Sequence, residues 1–244
     1  MAKLVKVLII GNTGKGKTLT SLTLSKHFRT IYYDVDLGTD PWDESLHFKE
    51  WKNLKVLRIR DWEDYKRTPI GEVSKKNKPD LVVVDSLSEL FGKYKDYLKQ
   101  YVRKTGRFPM PVATGVVDLT KKGINPEFVS LPYPMYSLLY DTIEDVASDA
   151  VSYSDHTIIT MHPLETRMAV QKSDGSSEIV HSSAKLGFLQ RIYRKVDVII
   201  KLSKPMRGEV VKSRGDLKPV EGAVDPVEFL KRKMGIGGGE DVSR

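Results

Sequence analysis

Gly11-Asn12-Thr13-Gly14-Lys15-Gly16-Lys17-Thr18 follows directly on the apolar run Val5-Lys6-Val7-Leu8-Ile9-Ile10 and leads into Leu19-Thr20-Ser21-Leu22-Thr23-Leu24-Ser25-Lys26. Every fixed position of the G-x-x-x-x-G-K-[ST] pattern is filled. The flanks read as a buried strand and as a helix with Leu19, Leu22 and Leu24 near helical spacing. Glycines let a backbone wrap around a polyphosphate and aim successive N–H groups inward. The following helix adds the positive end of its dipole. Gly11, Asn12, Thr13, Gly14, Lys15 and Gly16 then form the cradle, and Lys17 sets an ammonium against the β and γ oxygens. The Thr18 hydroxyl can ligate Mg²⁺, which takes oxygen ligands and substrate phosphates. The stretch predicts an α/β chain that binds a nucleoside triphosphate with Mg²⁺.

Beyond this stretch, carboxylates recur at the ends of the expected strands. Thr30-Ile31-Tyr32-Tyr33-Asp34-Val35-Asp36 reads as a second strand, broken by Gly38 and Pro41. In open α/β sheets ligands sit beyond the carboxyl ends of the strands, so Asp34 or Asp36 is expected to face the nucleotide. Leu81-Val82-Val83-Val84-Asp85-Ser86 is a continuous apolar run, as in a strand buried on both faces, and it delivers Asp85 as a Mg²⁺-holding carboxylate. Thr157-Ile158-Ile159-Thr160-Met161-His162 ends at the same predicted edge, where His162 can sense the γ-phosphate. Helices are expected over 86–101, 136–152, 185–193 and 226–233, and an Asp61-capped turn after a strand at 55–60.

The 244 residues, 40% of them hydrophobic, suffice for one substantial core. We expect a single domain over 1–233, with mobile loops at 105–134 and 164–187 and a disordered tail at 234–244. There is no Cys, which excludes disulfides and thiolate metal sites and fits a cytoplasmic location. The five His show no ligand spacing, so no zinc site is expected. No apolar run has membrane-spanning length, and no secretory leader is visible. The formal net charge of +8 favours a polyanionic partner such as nucleic acid. Cations crowd the stretch from Lys185 to Lys218, and the 105–134 loop mixes cations with aromatics. Arg107, Phe108, Lys121, Lys122, Arg167 and Lys172 are the candidate contacts to single-stranded nucleic acid, where bases stack and phosphates pair.

With these residues laid out, the chain resembles the RecA-like branch of P-loop ATPases over most of its length. Leu81-Val82-Val83-Val84-Asp85-Ser86-Leu87 is similar to the RecA strand that ends in Asp-Ser. Asp34-Val35-Asp36 followed by Asp40-Pro41 is similar to the RecA segment carrying a catalytic Glu and then an Asp-Pro beside the adenine. The resemblance implies that Asp36 is the water-activating base, with Asp where the family has Glu, and that Asp40 borders the base. It places His162 where RecA has a Gln that couples the γ-phosphate to DNA. Lys212-Ser213-Arg214 resembles the Lys-x-Arg strand end that relatives insert into a neighbour's nucleotide site. The short chain is most similar to RecA-core ATPases of phages and archaeal viruses linked to single-strand annealing and recombination. Implied are a mostly parallel sheet with helices on both faces and late antiparallel strands, ATP and Mg²⁺ as cofactors, and a homo-oligomer (hexamer or filament) acting on single-stranded DNA.

Two rivals share the loop. A nucleotide kinase fits the carboxylate after the second strand. A nucleotide-gated DNA-binding module with little hydrolysis fits the short Asp at 36. Asn77-Lys78-Pro79-Asp80 spells the GTPase N-K-x-D, but it precedes an apolar strand instead of following one.

Overall fold

Alternation along the apolar runs sorts their side chains onto two faces. In β1 (Lys6–Gly11) Val7 and Ile9 point one way and Leu8 and Ile10 the other; in β4 (Leu81–Asp85) Leu81 and Val83 oppose Val82 and Val84. All of these residues are buried, so both strands lie inside a sheet covered on both sides. The computed structural model describes residues 4–108, 117–118, 133–163, 167–171, 177–181, 184–214 and 220–236.

The remaining strands are β2 (Thr30–Asp34), β3 (Leu54–Arg58), β5 (Arg107–Phe108), β6 (Val117–Asp118), β7 (His156–Met161), β8 (Arg167–Gln171), β9 (Ser177–His181), β10 (Val198–Lys204), β11 (Arg207–Ser213) and β12 (Ala223–Val224). Six of these, together with β1 and β4, form one sheet in the order β12-β11-β10-β1-β7-β4-β2-β3. Pairing is parallel from β10 across to β3 and antiparallel for β10–β11 and β11–β12. This is the α/β arrangement that the resemblance implied, late antiparallel strands included. Parallel pairing brings Gly11, Asp34, Asp85 and Met161 to one edge of the sheet.

Helices α1 (Lys17–Ser25) and α8 (Pro226–Met234) cover one face, where Leu22 and Leu24 meet Phe229, Leu230 and Met234. The other face carries α3 (Trp62–Arg67), α4 (Ile70–Asn77), α5 (Leu87–Thr105), α6 (Tyr133–Ser152) and α7 (Ala184–Lys195). Asp61 caps α3 by accepting the Asp64 N–H at 2.8 Å. Helix α5 outruns its expected end because Val102 continues the buried stripe from Leu98, and Gly106 (φ +62°) stops it. Helix α4 was not expected. Only Ile70, Gly71 and Ser74 of it are buried, too few to leave a stripe in the sequence. A short α2 (Asp40–Leu46) follows β2. The pairs β5–β6 and β8–β9 stand apart as two-stranded units inside the two segments expected to be loops.

At the opposite edge of the sheet Lys6 is buried, its ammonium donating to the Ser154 carbonyl. Burial lowers the Lys6 pKa to about 8, partly offset by Asp155 and Asp197. The unfolded chain therefore binds the extra proton between pH 8 and 10.5, and over that window Lys6 makes stability rise with pH. The rise is worth up to about 3 kcal/mol. Urea midpoints across this range should climb more steeply for the wild type than for Lys6→Met. Parallel profiles would discount the burial effect.

Candidate active site

The loop after β1 is glycine-shaped at two points. Gly14 (φ +76°) and Gly16 (φ +93°) occupy the left-handed region, where a side chain is strained. Gly16 is also closely approached: a Cβ there would lie 2.5 Å from the Met206 sulfur. Met206 sits at the tip of the β10–β11 hairpin and donates its N–H to the Lys15 carbonyl at 3.2 Å. The hairpin tip thus lies over the loop. Helix α1 starts at Lys17 with no side-chain cap, which leaves its first amides for an anion.

Lys17 is buried and its Nζ donates to the Gly11 and Asn12 carbonyls at 2.9 and 3.3 Å, with His162 Nδ1 at 3.5 Å. Burial lowers its pKa, opposed by the charges of Asp85 and Asp36. Asp85 is fully buried and accepts from three hydroxyls: Thr18 at 2.6 Å and Tyr32 at 2.7 Å on one oxygen, Thr160 on the other. Burial raises the Asp85 pKa, and those three hydrogen bonds pull it back down. The Asp85 carbonyl accepts the Val35 and Asp36 amides at 2.6 and 3.1 Å, which fixes the chain leaving β2. Asp36 accepts from the Ser86 hydroxyl at 2.9 Å and lies 3.3 Å from His162 Nε2. Lys17, Thr18, Asp36, Asp85 and His162, predicted from separate segments, therefore form one connected network.

The network opens into a cavity of about 660 Å³. Lys17, Thr18, Asp36, Glu89 and His162 line its polar side, while Leu19, Pro41, Trp42, Pro205 and Met206 supply apolar walls. Its size and mixed lining suit a small organic anion with an apolar ring.

Other predicted residues stand elsewhere. Asp34 turns inward and accepts from Gly38 and Thr39 amides and the Thr39 hydroxyl, an internal turn that sets Leu37 at φ +54°, so that of the two carboxylates at the end of β2 Asp36 is the one that lines the cavity. Asp40 does not line the cavity; its carboxylate is ion-paired with Arg58, and Pro41 and Trp42 take that wall instead. Lys212 and Arg214 lie at the edge of the sheet opposite the loop, because β11 runs antiparallel to β10 and pairs Ser213 with Val198. Lys212 donates to the Tyr193 and Val196 carbonyls and Arg214 to the Arg194 carbonyl, so both cap the end of α7. Asp80 of the N-K-x-D stretch accepts from the Arg29 amide and guanidinium at that same far edge. Arg107 is exposed and Phe108 completes β5; Arg167 opens β8. Lys121, Lys122 and Lys172 lie outside the described residues.

Two participants escape a sequence reading. Tyr32 reads as core, yet its hydroxyl bridges Ser21 and Asp85 at 2.8 and 2.7 Å. Glu89 reads as an exposed helix residue, yet it stands beside Asp36 and His162.

No protein family description and no curated protein matches the chain. Among solved structures it is similar to the RadB recombinase, with 15% identity, 91% of this chain and 87% of that one covered, and a TM-score of 0.47. A KaiC-like protein from Pyrococcus horikoshii shows 12% identity, coverage of 92% and 88%, and a TM-score of 0.45. A prototypical ATPase from the type III secretion system of pathogenic bacteria shows 14% identity over 82% of this chain and 52% of its own length, with a TM-score of 0.45.

Proposed function

We propose that the chain binds ATP with Mg²⁺ at Gly11–Thr18 and hydrolyses it as a RecA-type ATPase. The observation that carries this reading is the convergence of Lys17, the Thr18–Asp85 pair and the Asp36–His162 pair at one cavity. Thr18 and Asp85 offer oxygen donors 2.6 Å apart, a set that suits a hard cation. They would hold Mg²⁺, whose charge offsets that of the phosphates. The loop amides and Lys17 bind the phosphates. Asp36, steadied by Ser86 and His162, orients the attacking water and takes its proton as the new P–O bond forms and the bond to the ADP oxygen breaks. His162 lies between Lys17 and Asp36, where it reads the γ-phosphate. The apolar walls at Pro41, Trp42, Pro205 and Met206 receive the base.

On this reading the protein acts on single-stranded DNA as a self-assembling oligomer, in the manner of short RecA-core ATPases. The net charge of +8 supports the nucleic-acid partner, with Arg107, Phe108, Lys121, Lys122, Arg167 and Lys172 as its candidate contacts. Among the described residues no helix is long and apolar enough to cross a membrane. The experiment is ATP turnover with and without single-stranded DNA across a salt series. Stimulation that fades with salt is expected; a flat rate favours a kinase, and ATP binding without turnover favours a nucleotide-gated module.

Lys212 and Arg214 lie too far from their own loop to act there, so their proposed role is at a neighbour's triphosphate. Arg214→Ala is expected to bind ATP but turn it over about 10³-fold more slowly. Mixing it with Asp36→Asn then restores part of the rate, because one copy supplies the carboxylate and the other the guanidinium. A mixture as slow as its components would reject the shared site.

A further inference from the structure

Three side chains from three elements meet at the mouth of the cavity. Asp36 follows β2, Glu89 lies in the first turn of α5 and His162 follows β7; one ligand atom from each lies within 4.8 Å of the other two. Bonds of about 2.0–2.2 Å hold the ligands of a single ion up to about 4.4 Å apart, so small side-chain rotations close this set on one ion.

Charge points the same way. Glu89 faces a second carboxylate, and no hydrogen bond or ion pair engages its side chain among the described residues. The neighbouring cations are committed elsewhere: Lys93 donates to the Arg60 carbonyl at 3.0 Å and Lys17 to the loop carbonyls. Supporting contacts come from one short turn. Ser86 holds one oxygen of Asp36 at 2.9 Å and caps the Glu89 amide at 3.4 Å, and Ser88 accepts the His162 amide at 3.0 Å. Such outer contacts are what orient the ligands of a metal centre. The Asp36 and His162 side chains are 21% and 26% exposed, which leaves the remaining positions on an ion open to water or phosphate.

We propose that Asp36, Glu89 and His162 bind a first-row divalent cation of the Mn²⁺ class, separate from the Thr18–Asp85 position. The imidazole nitrogen sets the preference, since Mg²⁺ takes oxygen ligands. Ligation through Nε2 leaves the ring proton on Nδ1, which faces the Lys17 ammonium at 3.5 Å. Ion binding and withdrawal of Lys17 toward a phosphate therefore favour one another. Only this coupling, and the placing of the ion beside the γ-phosphate, rests on the ATP reading.

Mn²⁺ alone, titrated into the full chain without nucleotide and followed by loss of the free-ion EPR signal, tests the site. One ion per chain is expected, with affinity lowered about tenfold or more in both Glu89→Gln and His162→Asn. Glu89 is exposed, so its amide variant leaves the core intact; circular dichroism checks both. Equal affinity in all three proteins, or no ion retained at millimolar Mn²⁺, overturns the proposal. ATP binding with Mg²⁺ is measured alongside. ATP binding without Mn²⁺ binding discards the cation site alone, whereas Mn²⁺ binding without ATP binding discards the nucleotide reading and the coupling.

Discussion

Lys17→Ala is expected to give a folded chain whose ATP turnover is lower by about 10²–10³-fold or more. The ammonium is the one cation that the loop itself carries into the cavity, and it already points along the Gly11 and Asn12 carbonyls. In a site screened from water, losing a fixed charge next to a transferring phosphoryl group removes stabilisation that bulk solvent cannot replace. Folding should be nearly unaffected. Truncation strips a donor from two carbonyls but also removes the desolvation cost that lowers the Lys17 pKa. The two effects offset to within about 1 kcal/mol. Phosphate release and a urea midpoint on the same preparation separate them. Undiminished turnover would remove the loop from the reaction.

Asp85→Ala is expected to cost about 3–5 kcal/mol of stability as well as turnover. Three hydroxyls lose their acceptor at once, and those of Tyr32 and Thr160 are buried with no path to water. Asp85→Asn keeps the shape and one acceptor oxygen, so it should recover most of the stability while turnover stays low. A charge-dependent function and a packing-dependent fold part company in that pair. Two variants with equal urea midpoints would mean that the hydroxyls find other partners.

The loop and the apolar strands were legible because each is a local pattern: fixed glycines, four apolar residues, a terminal carboxylate. Their convergence was legible too, since parallel strands share one carboxyl edge. What sequence could not resolve is orientation. Asp34 and Asp36 stand on the same side of the chain by period two, yet the first folds back on Gly38 and Thr39 and only the second enters the cavity. Asp40 is drawn away by Arg58, a partner that exists only once β3 lies beside β2. Glu89 and Tyr32 were hidden for the converse reason. Each looks ordinary on its own element and acquires a role only from neighbours far along the chain. Helix α4 was missed because its buried face is three small or isolated residues.

The contact between Gly16 and Met206 sets a rule of inheritance. A side chain at 16 would strike the sulfur, and β-branching or aromatic bulk at 206 would press on the loop from the other side. Neither position can grow unless the other gives way. Chains descended from this one should therefore vary the hairpin tip only among slender, flexible residues. A homologue carrying a bulky residue at 206 should also carry a shifted or lengthened hairpin.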